Sequence, residues 1–243
     1  MAAGFARSFA QRAHLRYQLK ATLKKKAKAA TTRTPNARHQ ARKGAAMINI
    51  LLAGVGGQGT VLAAKVLAQA AQEKGWQVRT AETIGMAQRG GNVTSHVRMG
   101  NAGEEFATSL IAKGTANMII AFEPAEAAAA LHYLAEDGVL VTASTGVQPV
   151  TAALSKQPYM ANAVIENLRH ALPQQQFVAI DDASLLEQIG SKKVLNIVLL
   201  AYAIKTGKLP LTMEDLRAAV KACVKPQFVD LNFSAIEAVE HEK

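Results

Sequence analysis

At 243 residues the chain is long enough for one α/β domain with an appendage and too short for two comfortable domains. Twelve of its 28 Lys and Arg residues and none of its 18 Asp and Glu residues precede Met47, so residues 1–46 carry +12 and the remainder −2. The overall +10 is therefore no argument for nucleic-acid binding by a folded surface. A single cysteine, Cys223, excludes an internal disulfide and any four-thiolate zinc or iron–sulfur site built from one copy, and fits a reducing cytoplasm.

Residues 1–46 are rich in Ala, Arg, Lys and Thr, include Lys24-Lys25-Lys26, and offer few large apolar side chains for a core. They are expected to form a disordered basic extension. Three readings apply to such a segment: a targeting peptide, a nucleic-acid or anionic-lipid binder, or upstream sequence translated from an early start. The last is preferred, because Met47 directly precedes the first strand pattern and the composition changes there. The domain expected to fold is 47–243.

Ile48 to Ala53 is an apolar run entering Gly54-Val55-Gly56-Gly57-Gln58-Gly59, the pattern of a buried strand leading into a glycine turn. Thr60 to Lys74 follows with Leu62, Val66, Leu67 and Ala70 at helical spacing, and Gly75 stops it. Gln77 to Glu82 reads as a second strand. Asn92 to Met99 reads as a third, with Val93, Ser95 and Val97 alternating against a polar face of Thr94, His96 and Arg98.

Met118 to Phe122 is an apolar strand, and Glu123-Pro124 opens an alanine-rich helix to about Leu134. A strand at Val139 to Ala143, a loop at Ser144 to Pro158, a helix at Asn162 to Leu172 and a strand at Phe177 to Ile180 come next. Three helices close the chain, at about Lys192 to Thr206, Met213 to Cys223 and Gln227 to Val239. The apolar run Val194 to Ile204 is broken by Asn196 and flanked by lysines, too short to span a bilayer. The alternation predicts an α/β fold: a Rossmann-like open sheet, mostly parallel or mixed, with helices on both faces.

Gly54, Gly56 and Gly59 fit the spacing G-x-G-x-x-G. Residues without Cβ let the backbone turn sharply, admit a phosphate, and start a helix whose free N–H groups face the anion. Glu82 ends the second strand where a ribose-binding acid would stand, which raises a free-standing dinucleotide-binding oxidoreductase as one reading. Against it, Gly85-Met86-Ala87-Gln88-Arg89-Gly90-Gly91 is a glycine-flanked loop, not a second crossover helix. No Lys-Ser or Lys-Thr follows the turn, which disfavours a Walker-type site. A turn that merely packs its helix onto the sheet is the plainer alternative.

Together these segments carry a resemblance. The turn Gly54 to Gly59, the stretch from Glu82 through Gly85-Met86-Ala87-Gln88-Arg89-Gly90-Gly91-Asn92-Val93, and Ser95-His96-Val97-Arg98 resemble the gamma-type domain of pyruvate:ferredoxin oxidoreductases. Met-Ala-Gln-Arg-Gly-Gly followed by Ser-His-Val-Arg is more similar in form to the indolepyruvate:ferredoxin oxidoreductase small (beta) subunits than to the pyruvate enzymes. Ala121-Phe122-Glu123-Pro124, Asn196 and Phe228-Val229-Asp230-Leu231-Asn232 also match, so the resemblance covers essentially all of 47–243.

The resemblance implies a subunit that helps convert an aryl 2-oxoacid and coenzyme A to acyl-CoA and carbon dioxide while reducing ferredoxin. Thiamine diphosphate, its Mg and the iron–sulfur clusters then belong to a large catalytic partner. This chain would supply no catalytic residue and no metal ligand, and would bind neither nucleic acid nor membrane. Coenzyme A, the co-substrate, presents phosphates that Gly54, Gly56, Gly57, Gln58, Gly59 and Arg89 would suit. Arg89 has an alternative, pairing with Glu82 to fix the loop. Glu82, Gln88, Gly90, Gly91, His96, Arg98 and Glu123 are candidate contacts to the ligand or the partner. For His96 a structural role in a solvated sheet face is the plainer reading, for Glu123 service to the following helix, and for Asn196 a structural amide. A chain beginning at Met47 is expected to show the full chain's denaturation midpoint and activity with its partner. A lowered midpoint or lost activity would count against the division at Met47.

Overall fold

The computed structural model describes residues 47–85, 91–101, 106, 108–147 and 159–242. The basic extension and the loop residues Gln88, Arg89 and Gly90 lie outside the described residues, as do residues 148–158 of the expected loop. Six strands, β1 (Ile48–Val55), β2 (Gln77–Ile84), β3 (Asn92–Gly100), β4 (Ala116–Ala121), β5 (Leu134–Ala143) and β6 (Phe177–Ile180), form one sheet in the order β2-β3-β1-β4-β5-β6. Strands β1, β4, β5 and β6 run parallel, while β3 is antiparallel to both β1 and β2.

The sheet is thus mostly parallel with one reversed strand, and the cause is the loop after β2. The connection from Ile84 to Asn92 spans too few residues for a parallel crossover, which takes a dozen or more. The chain must return antiparallel, so β3 pairs with β2 and fills the place beside β1. Residue by residue, Leu52 stands opposite Ser95 on β3, and Ser95 opposite Glu82 on β2.

The central strands read as continuous apolar runs because both their faces are covered. Ile50, Leu52, Met118, Ile120 and Val141 face α1 (Thr60–Glu73) and four later helices: α4 (Asp182–Ile189), α5 (Leu195–Lys205), α6 (Met213–Cys223) and α7 (Val229–His241). Leu51, Ala53, Ile119, Ala121 and Leu140 face α2 (Pro124–Ala130) and α3 (Ala161–Ala171). Helix α5 is apolar all round because it is enclosed, with eight of its residues buried between sheet and α7. At 11 residues it is the apolar run noted in the sequence, and among the described residues no helix is long and apolar enough to cross a membrane.

Three expectations are corrected. The alanine-rich helix stops at Ala130, and after a short 3₁₀ turn at Leu131–Tyr133 the chain enters β5 at Leu134, well before Val139. Glu136-Asp137-Gly138 looks like a turn but lies within the strand. A register shift absorbs it opposite the start of β4, and the Gly138 backbone packs too close to the Ala116 carbonyl for any side chain. Helix α4 has no counterpart in the sequence reading, although Asp181 caps its first turn through Ser184 N (3.3 Å) and Gly190 ends it in the left-handed region (φ 79°).

The third correction concerns the polar face of β3. A strip of chain from Thr108 to Ala112 covers it, so His96 is 3% exposed rather than solvated. Ile111 N–H donates to His96 Nδ1 (3.2 Å), and Tyr133 meets the imidazole edge-on at 5.9 Å between ring centres. Arg98 donates to Asn49 Oδ1 (3.0 Å) and to the Thr108 carbonyl, so it fastens the same strip. The structural role given to the histidine holds; the solvated setting does not.

Burial pushes the His96 imidazole below its ordinary value. The unfolded chain therefore takes up a proton first as the pH falls, and stability present above about pH 6.5 is lost below it. His96→Asn, which keeps an acceptor for Ile111 N but cannot titrate, is expected to lower stability at pH 7 and to remove the His96 contribution to stability loss between pH 7 and 5.5. Denaturant midpoints across that range check this, and an equally steep profile in the variant would refute it.

Candidate functional site

The connection leaving β1 passes to one face of the sheet and that leaving β4 to the other, since α1 and α2 belong to opposite layers. Open α/β sheets form a crevice at such a switch point, beyond the carboxyl ends of the strands. Here its walls are the glycine turn on one side and Phe122-Glu123 on the other.

The turn is built tightly. Gly59 has φ 84° and acts as the N-cap of α1, a left-handed conformation that disfavours larger side chains, and the Asn196 amide packs against it. Gly54 has no room for a side chain: a Cβ there would stand 2.9 Å from Gln58 Oε1, Phe122 Cβ and Thr60 Oγ1. Gln58 spans the crevice floor, its Oε1 accepting from Val55 N (2.7 Å) and its Nε2 donating to the Phe122 carbonyl (3.1 Å). Gly56 N–H donates to the Gly91 carbonyl (2.9 Å), tying the turn to the start of β3.

What the turn leaves free is the N-terminus of α1. No side chain caps it and its first turn holds no acid. The first N–H groups of a helix have no partner within it, and the dipole favours an anion beside them. The Thr60 hydroxyl, 3% exposed, has no hydrogen-bond partner among the described residues.

Across the crevice, Glu123 is the N-cap of α2, its Oε2 accepting from Glu126 N (3.0 Å). The expected service to the helix is present, but the residue is 2% exposed, and among the described residues the donor nearest its carboxylate is the Tyr159 hydroxyl. Tyr159 comes in from beyond β5. Its ring lies so close to Gly146 that no Cβ fits, and its hydroxyl accepts from Ala125 N (3.0 Å) beside the Glu123 carboxylate. Burial and that carboxylate push the phenol well above its ordinary value, and burial together with Glu123 raises the Glu126 carboxyl. At the end of β5, buried Asp182 accepts from Ser144 N (2.8 Å) and Thr145 N (2.9 Å), which fixes the chain where it turns toward the crevice.

Of the candidate residues, Gly54, Gly56, Gly57, Gln58, Gly59, Gly91 and Glu123 meet around this crevice. His96 and Arg98 belong to the covered face of β3. Glu82 stands on β2, two strands from β1 and so roughly 10 Å from it at ordinary strand spacing. A dinucleotide fold needs its ribose-binding acid on the strand next to β1, and β3 occupies that place. Thr60 and Tyr159 escape the sequence reading: a threonine after a glycine turn reads as a helix start, and Tyr159 meets its partners only through the return of a long loop.

A family model described as pyruvate ferredoxin/flavodoxin oxidoreductase matches residues 49–240. The chain belongs to that family. The indolepyruvate oxidoreductase subunit IorB of Pyrococcus horikoshii is 32% identical over 189 residues, covering 78% of this chain and 92% of that one. The subunit of the same name from Archaeoglobus fulgidus is 34% identical over 192 residues, with the same coverage. Among solved structures, a keto/oxoacid ferredoxin oxidoreductase gamma subunit from Geobacter sulfurreducens matches at a TM-score of 0.56 and 24% identity, over 80% of this chain and 94% of that one. A 2-oxoglutarate:ferredoxin oxidoreductase chain from Magnetococcus marinus, with 2-oxoglutarate, coenzyme A and succinyl-CoA bound, matches at 0.58 and 16%, over 80% of this chain and 30% of that one. These two likenesses establish the shared fold. As a member of the family, the chain is a non-autonomous subunit of an oxidoreductase, as the resemblance implied.

The turn separates fold from ligand contact. Gly54→Ala forces 2.9 Å contacts and is expected to cost about 1–3 kcal/mol. Gly56→Ala meets only the Gly91 carbonyl, at 3.6 Å, and is expected to stay within about 0.5 kcal/mol of wild type. Chemical denaturation of the two variants measures the difference, and equal losses would refute this account of the turn.

Proposed function

We propose that this chain is the small subunit of a thiamine-dependent 2-oxoacid:ferredoxin oxidoreductase of the indolepyruvate type. It helps a large catalytic partner convert an aryl 2-oxoacid and coenzyme A to acyl-CoA and carbon dioxide, with ferredoxin as electron acceptor, in the cytoplasm. The observation that carries the ligand assignment is the open N-terminus of α1: uncapped, free of acid, preceded by glycines and floored by an unpartnered threonine hydroxyl. Gly56, Gly57 and Arg89 then serve the coenzyme A phosphates, with Gln58 holding the turn in shape.

The chain's own donors do not fit the redox cofactors. It has one cysteine, and among the described residues no three His, Cys, Asp or Glu side chains converge as a metal site would require. In line with the family resemblance, thiamine diphosphate, Mg and the clusters are assigned to the partner, where they would supply decarboxylation and electron transfer. This chain binds, orients and screens the co-substrate.

The partner is assigned to the crevice end of the sheet. Six large apolar side chains are conspicuously exposed among the described residues. Five of them, Val61, Ile84, Val147, Met160 and Phe228, stand at the carboxyl ends of the parallel strands or at helix termini beside them. Apolar groups clustered around a ligand crevice suit burial by a second polypeptide that must reach the same ligand.

In the assembled enzyme, Arg89→Ala removes a charge-assisted bond worth about 1.5–3 kcal/mol. The apparent KM for coenzyme A is expected to rise roughly tenfold or more, with the 2-oxoacid KM and subunit association near wild type. Gly56→Val is expected to act in the same direction by filling the approach to the turn. Steady-state kinetics with each substrate varied, together with gel filtration, test this. Dissociation of the complex, or lower turnover at unchanged coenzyme A dependence, would make the loop an assembly element instead.

A further inference from the structure

The layer of α1, α5, α6 and α7 is electrically two-ended. Helices α1 and α6 run antiparallel: Lys74, at the end of α1, bonds Asp215 at the start of α6 (2.9 Å), and Cys223, at the end of α6, lies beside the Lys65 carbonyl (4.0 Å). Helices α5 and α7 run in the same direction, since Lys205 at the end of α5 donates to the carbonyls of Val239 (2.7 Å) and Glu242 (2.6 Å) where α7 finishes. Asn196, at the start of α5, rests on Gly59 of the glycine turn. The crevice end of the layer therefore gathers the starts of α1, α5 and α7 and the end of α6.

Away from the crevice the cations are paired, Lys74 with Asp215, and Arg217 with Glu214 (3.5 Å) and Glu240. At the crevice end they are not. Lys65, Lys192, Lys193, Lys221 and Lys225 are all exposed, and none forms an ion pair among the described residues. Asp230 is the one acid these helix ends contribute, with Glu187 on α4 preceding Lys192 in the chain. A domain whose residues 47–243 sum to −2 thus concentrates free positive charge on one face, next to the exposed Val61 and Phe228 of the apolar rim. The composition selects the kind of partner. Lysine is depleted from the cores of lasting interfaces, whereas redox encounters are small and steered by charge.

We propose that this lysine face is the docking site of an acidic electron carrier, the ferredoxin of the proposed reaction, held transiently beside the large partner. The inference rests on the reading of ferredoxin as acceptor and gives this subunit a share in receiving it.

The test uses the assembled enzyme with saturating 2-oxoacid and coenzyme A, reducing either an acidic ferredoxin or methyl viologen, a small cation that gains nothing from lysines. In Lys192→Glu/Lys193→Glu, and separately in Lys225→Glu, the KM for ferredoxin is expected to rise about tenfold or more. Turnover with methyl viologen and elution on gel filtration are expected to match wild type, and Lys192→Arg/Lys193→Arg to keep the wild-type KM. The wild type supplies a readout that needs no variant to fold: an about tenfold rise in ionic strength shortens the screening length about threefold and is expected to raise its ferredoxin KM. An unchanged ferredoxin KM in the Glu variants, or a wild-type KM indifferent to salt, would overturn the inference. So would dissociation of the Glu variants from the large subunit, which would place the lysines in the permanent interface, or equal loss with both acceptors. A wild-type enzyme that reduces methyl viologen but no ferredoxin would remove the acceptor reading itself.

Discussion

One amide side chain holds the crevice in shape. Gln58 accepts from the backbone of β1 and donates to the Phe122 carbonyl just past β4, so a single planar group extends the tie between the two walls beyond the last strand-pairing bond, Phe122 N–H to the Ala53 carbonyl (2.8 Å). Everything nearby is arranged around it. Gly54 is bare because Gln58 lies over it, Phe122 closes the other side, and α1 starts where the glutamine's backbone has finished the turn. The shorter amide of asparagine could not make both bonds at once, and the turn would lose its link to the Phe122 carbonyl.

The reversed strand is the second constraint. By sending β3 back beside β1, the short loop after β2 takes the place where a dinucleotide-binding sheet keeps its ribose acid. The glycine spacing is shared with such sheets because the need is shared: a sharp turn and an exposed helix start. What differs is the neighbour. On the β4 side of the crevice the acid is Glu123, the N-cap of α2.

The framework was legible in the sequence where one physical signal dominated. Apolar runs identified β1, β4 and β6, the first by its glycine turn and the second by the Glu123-Pro124 that follows it, and α1, α3, α5, α6 and α7 were read as helices. Helix α4 went unread despite Asp181 and Gly190, since eight residues with only two buried leucines make a faint periodicity. β5 was shortened because an acidic pair before a glycine resembles a turn, and only the neighbouring strand reveals that it continues. At the site, the glycines and Glu123 were readable from local pattern. Tyr159, Thr60 and the burial of His96 were not, because each depends on a segment brought from elsewhere by the fold.

The strand β2 lies at the margin of the sheet, eight residues long, with its side chains largely exposed and Ile84 uncovered at its end. Such a margin offers unsatisfied backbone groups to any passing strand, and proteins ordinarily blunt it. Here it adjoins the cluster of apolar side chains at the crevice end. A copy of this chain without its partner therefore displays the two features that promote clumping, an open ladder and a greasy rim. If the chain is made ahead of a partner subunit, solubility matters as much as stoichiometry, and surplus copies are the ones chaperones and proteases meet first.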